Sequence, residues 1–397
     1  MEGLRDEDPC GLWCPQCQGK LTPGNELLRC FHCDRAWPVR KGIPCFVDSD
    51  VYWGEAGITR DLMRQILQDT ESRNWHEVFL NHPRPEVRKY YPFVANLERI
   101  KWYPQLGLPP NPRVLDVGAG LGTMSQALAA QGAKVFAIER VEERVQFMRL
   151  RFKQEGQSGI TIVKTDLDCL PFPPQYFDLI LLNGVLEWLP FSRPQENPRR
   201  AQLFYLRLLR KSLRPGGILY IGIENRMCYD LFLGAPDPHI GIPYVAVLPR
   251  IMADLLCRWK VGDRYRPYLY THRGYRKLLA AAGYRDIEVF AALPSYAEPR
   301  EIVSLSKHSR FVESYVWQTQ NLLSRRVRNL ALRFDILKYF AYAFAIFARE
   351  GNFVSPSEIG RNAAEGLSIE DATPADTRSG GAVSVGSTRR TPGIRPE

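Results

Sequence analysis

Val114-Leu115-Asp116-Val117-Gly118-Ala119-Gly120-Leu121-Gly122 is the stretch on which the reading of this chain turns. An apolar run of strand length feeds into three glycines at alternate positions, and an amphipathic pattern starts directly behind them. Glycine belongs where the backbone turns tightly and where a ligand lies against the chain with no Cβ in between. A helix starting there points free N–H groups and a partial positive charge at whatever occupies the turn. The spacing is Gly-x-Gly-x-Gly followed by Thr123, whereas a nicotinamide-binding fingerprint would want glycine at position 123.

Downstream, short β-branched runs alternate with amphipathic segments, the signature of a parallel sheet with covering helices. Strands are expected at 113–117, 134–139, 160–165, 177–182 and 217–223, and helices at about 122–131, 141–154 and 198–213. Thr271 reads as the N-cap of a further helix that ends at Gly283. Residues 287–293 and 301–306 are expected to close the sheet as a strand pair. The first four strands deliver Asp116, Glu139, Asp166 and Asn183 at or near their ends. A carboxylate at the end of the second strand can take both hydroxyls of a ribose.

In this order, and with the Leu213-Arg214-Pro215-Gly216-Gly217 turn before the fifth strand, residues 113–223 resemble the class I S-adenosylmethionine-dependent methyltransferases. The resemblance implies an α/β fold with a doubly wound, mostly parallel, seven-stranded Rossmann-like sheet, and S-adenosylmethionine as cofactor. It implies that Gly118, Gly120 and Gly122 pack against the methionine part of the cofactor and that Asp116 helps orient it. Glu139 would hold the ribose hydroxyls, and Asp166 with the Leu167 backbone would meet the adenine. Asn183 would sit where the fourth strand opens onto the cofactor. Trp188 stands where many members of the family carry His, which puts in doubt the contacts made by that side chain. The fourth strand lacks an Asp/Asn-Pro-Pro-aromatic motif, which argues against an exocyclic-amino methyltransferase of that type. Residues 224–270 form an insertion, and insertions beyond the C-terminal ends of parallel strands sit over the ligand crevice. Glu224 and His239 are therefore candidate bases and Arg226 a candidate anion contact, each weighed against an ordinary structural role.

Near the start, Cys14-Pro15-Gln16-Cys17 and Cys30-Phe31-His32-Cys33 form two CxxC pairs. Each pair places two thiolates on one turn, and Cys14, Cys17, Cys30 and Cys33 together make a closed tetrahedral set for a structural Zn²⁺. With Trp37-Pro38-Val39-Arg40-Lys41-Gly42-Ile43-Pro44, residues 14–46 resemble the Trm112-like zinc ribbons, which accompany methyltransferases as fused modules or partner subunits. The nine cysteines fit metal binding in a reducing compartment better than a disulfide framework.

The chain thus divides into a zinc ribbon at 1–48, a proline-interrupted helical connector at 49–111 and a methyltransferase domain at 112–307 with its insertion at about 224–270. A C-terminal helix and extension would span 308–361, and a disordered tail 362–397. No apolar run approaches the ~18 residues of a membrane span, and the acidic first dozen residues are unlike a signal peptide, so a cytoplasmic location is expected. The net charge of +10 is uneven: residues 198–290 hold sixteen Lys and Arg against seven Asp and Glu, whereas 112–184 balance at eight each. That asymmetry suits an anionic partner. Arg325, Arg326, Arg328, Arg333 and Lys338 beside the aromatic run 339–347 leave two readings open: a peripheral membrane contact through 325–347, or a helix packed on the sheet or on a second copy in a homodimer.

The function expected is methyl transfer to a small-molecule or glycan-type acceptor, at O or N. The Tyr270-Thr271-His272-Arg273-Gly274-Tyr275 and Leu293-Pro294-Ser295-Tyr296-Ala297-Glu298-Pro299-Arg300 stretches resemble bacterial methyltransferases of glycan and cell-envelope biosynthesis. The alternatives are an rRNA or tRNA methyltransferase, favoured by the basic half and the ribbon, and a non-catalytic scaffold of the same fold.

Overall fold

A computed structural model describes residues 11–54, 57–305, 315–316, 326, 330, 333–334 and 336–350, all within one compact unit. The expected tail from 362, the extension 351–361, most of the basic stretch 308–335, and Cys10 lie outside the described residues.

Four short strands open the chain: β1 (Leu21–Pro23), β2 (Leu27–Cys30), β3 (Ala36–Arg40) and β4 (Ile43–Pro44), paired antiparallel in that order. The residue after each CxxC pair, Gln18 (φ 59°) and Asp34 (φ 55°), takes the left-handed conformation that turns the chain back over the cysteines. So small a module cannot bury its own core. Leu12, Leu21, Leu28 and Phe46 instead share one with Phe136, Leu170 and Phe172 of the following domain. The Phe46 N–H donates to the Lys164 carbonyl and the Trp13 N–H to the Pro171 carbonyl, both at 2.8 Å, tying the module to the main domain.

The connector is helical, as expected: α1 (Arg60–Ser72), α2 (Trp75–Leu80) and α3 (Pro85–Ala95). Thr59 and Asn74 cap the first two with their side chains, and Pro85 starts the third where a missing N–H costs nothing. Leu62, Ile66, Trp75, Val78 and Phe79 close on Phe147 of the next domain.

That domain is built on nine strands. β5 (Arg113–Val117), β6 (Lys134–Glu139), β7 (Ile160–Lys164), β8 (Phe177–Asn183) and β9 (Leu213–Glu224) run parallel. β10 (Tyr284–Pro294), β11 (Pro299–Ser304), β12 (Tyr315–Val316) and β13 (Ala343–Glu350) complete a sheet of order β12-β11-β10-β13-β9-β8-β5-β6-β7. α4 (Thr123–Ala130), α5 (Glu142–Gln154), α6 (Pro198–Ser212) and α9 (His272–Ala282) are the helices the sequence pattern calls for. Thr271 caps α9 and Gly283 (φ 96°) ends it. The insertion carries α7 (Tyr229–Phe232) and α8 (Arg250–Val261).

Two expectations fail here. Among the described residues the sheet has nine strands rather than seven, because β11 and β12 extend its edge beyond β10. The helix expected from 308 does not run through to 350: the turn α10 (Leu337–Phe340) leads into β13, which inserts antiparallel between β9 and β10, while most of 308–335 lies outside the described residues. The physical reason lies in burial on both faces. Phe344, Ile346 and Ala348 pack with α6 and α9, while Ala343, Ala345 and Phe347 pack with α4 and Trp102. A strand apolar on both sides has no polar face to reveal its period, and a short apolar run does not separate strand from helix. Residues 343–348 are therefore core and closed to a membrane, whereas Tyr339 and Phe340 stay exposed. Among the described residues, no helix is long and apolar enough to cross a membrane.

Candidate active site

From β5 the sheet grows one way through β6 and β7 and the other way through β8 and β9. A doubly wound sheet opens a crevice at such a switch, outside the C-terminal ends of its strands. A cavity of about 560 Å³ occupies that place, and Asp116, Gly118, Gly120, Glu139, Asp166, Leu167, Asn183, Glu224 and His239 line it together.

The glycine loop divides its labour. Gly120 (φ 59°) faces open space where a Cβ would stand, with only the Gly118 carbonyl oxygen at 4.0 Å. Gly118 (φ 64°) is crowded by Val185, 2.8 Å from the position of a Cβ. Gly122 (φ 80°) lies under the ring of Phe152 and does not line the cavity; it lets α4 and α5 approach.

Every carboxylate at this end is held. Glu139, at the end of β6 and 5 % exposed, accepts from the backbone N–H of Gly120 (3.0 Å), Arg140 (2.8 Å) and Val141 (3.0 Å). Asp116 accepts from the Ser125 hydroxyl at 2.6 Å. Its burial, only partly offset by that hydrogen bond, pushes the carboxyl pKa up to about 6. Asp166 caps the turn Leu167–Cys169 by accepting from the N–H of Asp168 and Cys169, and burial raises its pKa as well. Asn183 presents a buried Oδ1 with no partner among the described residues. It sits in register with Gly222, where any Cβ would collide with that oxygen.

Several lining residues carry no sequence signal of their role. Trp53, Tyr90, Phe93 and Arg99 come from the connector, and Tyr296 from the β10–β11 turn. Arg99 is 5 % exposed, stacks 4.3 Å over the Phe93 ring, and has an unpartnered Nε. Burial holds its pKa below the usual arginine value. Arg226, the candidate anion contact, is instead engaged by the carbonyls of Ala246 and Leu248 and spans the insertion.

The opposite end gathers Glu187 from the loop after β8, Glu224 from the end of β9 and His239 from the insertion. His239 Nε2 lies 3.8 Å from Glu187 Oε1 and 3.9 Å from Glu224 Oε2. Its Nδ1 is 3.4 Å from Asp237 Oδ1. The imidazole stands edge-on to Trp188, with ring centroids 5.1 Å apart, and Trp188 in turn meets Trp53 at 5.3 Å. Burial opposes the His239 charge, but Asp237, Glu187 and Glu224 outweigh it and raise the pKa to about 10. Burial and then Glu187 lift Glu224 to about 7, against the opposing pull of His239 and the Tyr296 hydroxyl. Glu187 was not anticipated. Its one sequence cue is its place four residues beyond Asn183 on the loop leaving β8.

In the N-terminal module the sulfurs of Cys14, Cys17, Cys30 and Cys33 lie within 4.8 Å of one another. Cys14 and Cys33 are 3.7 Å apart, and Cys17 and Cys30 3.4 Å. Cys45 stands outside this group, with its thiol donating to the Ile43 carbonyl.

Residues 115–221 match the family described as a methyltransferase domain. A stretch of 139 residues, 35% of this chain, is 34% identical to the ubiquinone biosynthesis O-methyltransferase of Xylella fastidiosa (strain M23) and covers 51% of that protein. Over 229 residues, 57% of this chain, the identity to the malonyl-[acyl-carrier protein] O-methyltransferase of Methylococcus capsulatus is 27%, covering 68% of that protein. The chain thus spans about half the length of the ubiquinone-pathway relatives it matches. A solved S-adenosylmethionine-dependent methyltransferase from Mesorhizobium loti is 20% identical, with a TM-score of 0.39, over 65% of this chain and 99% of that one.

Proposed function

We propose that this protein is a class I S-adenosylmethionine-dependent methyltransferase that moves a methyl group to an oxygen of a small-molecule acceptor. The observation that carries the reading is the single cavity with the glycine loop, Glu139 and Asp166 at one end and Glu187, Glu224 and His239 at the other. The residues present fit the cofactor: open space above Gly120, an unpartnered amide oxygen on Asn183, and a carboxylate pre-oriented at the end of β6. In this reading Gly118 and Gly120 with Asp116 take the methionine part, and Arg99 faces its carboxylate. Glu139 takes the ribose hydroxyls, and Asp166 and Leu167 the adenine.

When bound, S-adenosylmethionine supplies a methyl group already activated by its sulfonium. What the chain must add is position: an acceptor oxygen held in line at near contact distance gains most of the acceleration that proximity can give. Trp53, Trp188 and Tyr296 line that end of the cavity and offer apolar and aromatic surface against which an acceptor can be held. A hydroxyl acceptor must also shed its proton, and Glu224 and His239 are the catalytic pair assigned to that proton.

Cys14, Cys17, Cys30 and Cys33 hold a structural Zn²⁺ in the same reading. Four converging sulfurs in a closed set are the donor chemistry of a folding site with no open position for substrate. The ribbon shares its core with Leu167, so it braces the adenine side of the cavity.

Calorimetric titration with S-adenosylmethionine and S-adenosylhomocysteine tests the reading. Wild type should bind in the micromolar range and Glu139→Ala about 100-fold more weakly, the scale of two or more lost hydrogen bonds to a charged group. A folded, zinc-loaded wild type that binds neither ligand would overturn it.

A further inference from the structure

Glu187 is 1% exposed, and neither of its carboxylate oxygens has a hydrogen-bond partner among the described residues. Glu224 Oε2 is buried without a partner as well. Among those residues His239 is the only basic side chain within ion-pair range of either carboxylate, and its Nε2 stands too far from both for a hydrogen bond. A buried carboxylate with no hydrogen-bond partner beside a second one only partly partnered is costly, and native proteins resolve such clusters with a charge of opposite sign.

We propose that Glu187, Glu224 and His239 form a binding site for a divalent cation at the acceptor end of the cavity. This deepens the methyltransferase reading and rests on it for the identity of the cavity. Three observations converge. The three ligand atoms lie within 4.8 Å of one another, and the 3.8 and 3.9 Å gaps from Nε2 match the roughly 3–4 Å between ligand atoms around an ion with bonds near 2.1 Å. A cation that displaces the imidazole proton leaves two carboxylates and a neutral imidazole around it, two negative charges that complement a dication. The third observation is the shell behind the histidine. Asp237, fully buried, faces Nδ1 at 3.4 Å, and is itself fixed by accepting from the backbone N–H of His239 (2.9 Å) and Ile240 (3.1 Å) and from the Tyr265 hydroxyl (2.8 Å). A carboxylate behind one ring nitrogen is how proteins aim the other at a metal.

Three protein ligands leave coordination positions open toward the cavity, as catalytic metal sites do. With the ion in place, Glu224 and His239 would act on the acceptor's proton through it: an acceptor oxygen in an open position would have its pKa lowered, and its proton would leave to solvent. The oxygen-rich donor set suits Mn²⁺ or Mg²⁺ over the softer ions preferred by the four cysteines, so the two metal sites can be addressed separately.

The probe is Mn²⁺, followed by electron paramagnetic resonance on the full-length, zinc-loaded protein, with S-adenosylhomocysteine binding measured on the same samples. Wild type should bind one equivalent of Mn²⁺. Glu187→Gln should weaken that binding at least 10-fold while changing the S-adenosylhomocysteine affinity less than twofold. Glu224→Gln, at the less deeply buried of the two carboxylates, should do the same and serves if the first variant fails to fold. Wild type that binds the nucleoside normally but no Mn²⁺, or variants with unchanged Mn²⁺ affinity, would overturn the cation site and leave the methyltransferase reading standing. Wild type that binds Mn²⁺ in a Glu187-dependent way but no nucleoside would support the site and sink that reading instead.

Discussion

The cavity has two ends built in opposite ways. On the β5–β6–β7 side, Asp116, Glu139 and Asp166 are each satisfied in place, by a hydroxyl or by backbone N–H groups within a few residues of a strand end. On the β8–β9 side, both oxygens of Glu187 and Oε2 of Glu224 are buried without a hydrogen-bond partner among the described residues. The first end is a finished receptor, rigid before its ligand arrives. The second gathers two carboxylates around one imidazole with no hydrogen bond closed between them, and that unfilled geometry is what points to a ligand there. The same difference appears in the sheet. One side is made of consecutive parallel strands, and the other is locked by β13, which returns from 119 residues beyond the end of β9 (224 to 343).

The comparison can be broken most decisively at β13. Phe347→Ala should destabilise the protein by about 3–5 kcal/mol in urea unfolding, the range for truncating a buried aromatic. It packs with Trp102 at 5.3 Å and Tyr220 at 5.2 Å. A loss below about 1 kcal/mol would mean that this side of the sheet is not held as described.

The same chemical change at each end sharpens the contrast. Glu139→Gln weakens three hydrogen bonds from backbone N–H groups and should cost about 1.5–3 kcal/mol, as for hydrogen bonds to a charged group. Glu187→Gln loses no hydrogen bond, only the attraction to His239 at 3.8 Å, so the metal-free protein should lose clearly less stability than Glu139→Gln. Equal losses in chemical denaturation would erase the distinction between the two ends.

Asp116 offers a pH-dependent version. Its carboxyl titrates at about 6 in the fold against about 3.9 in an unfolded chain. The ionised form therefore costs stability, with the cost absent below pH ~4 and fully developed above pH ~6. Asp116→Asn, whose amide oxygen can still accept from Ser125, should be more stable than wild type by about 2 kcal/mol at pH 7. That advantage should vanish near pH 4; stability curves that stay parallel from pH 4 to 7 would refute it.

The smallest effect is expected at Gly120. Gly120→Ala places a Cβ in open space but in a left-handed conformation, a strain of about 1–2 kcal/mol. Its melting temperature should fall by a few degrees, while its affinity for S-adenosylhomocysteine falls more than that of Gly107→Ala. Gly107 is also left-handed and open (φ 61°) but lies away from the cavity. Identical binding by the two variants would remove Gly120 from the cofactor site.

The glycine loop, the strands from 113 to 223, the capped helix α9 and the four-cysteine group were all legible in the amino-acid order, because each rests on a local rule. Glycine permits left-handed backbone, an acid follows its own strand to the edge of the crevice, and two thiolates two residues apart share a turn. Glu224 and His239 were legible as residues of an insertion over the crevice, although their pairing with Glu187 was not.

What required the folded chain is everything that depends on distant segments meeting. β13 shows no periodicity because both of its faces are buried, so only its neighbours β9 and β10 establish that it is a strand. Trp53 and Arg99 reach the cavity because the connector folds back over the sheet. Arg226 is withdrawn from solvent by carbonyls about twenty residues away. The orphaned carboxylate of Glu187 exists as a fact only once burial has stripped its water and three loops have closed around it. Local propensity is written residue by residue, whereas desolvation is a property of the packed whole.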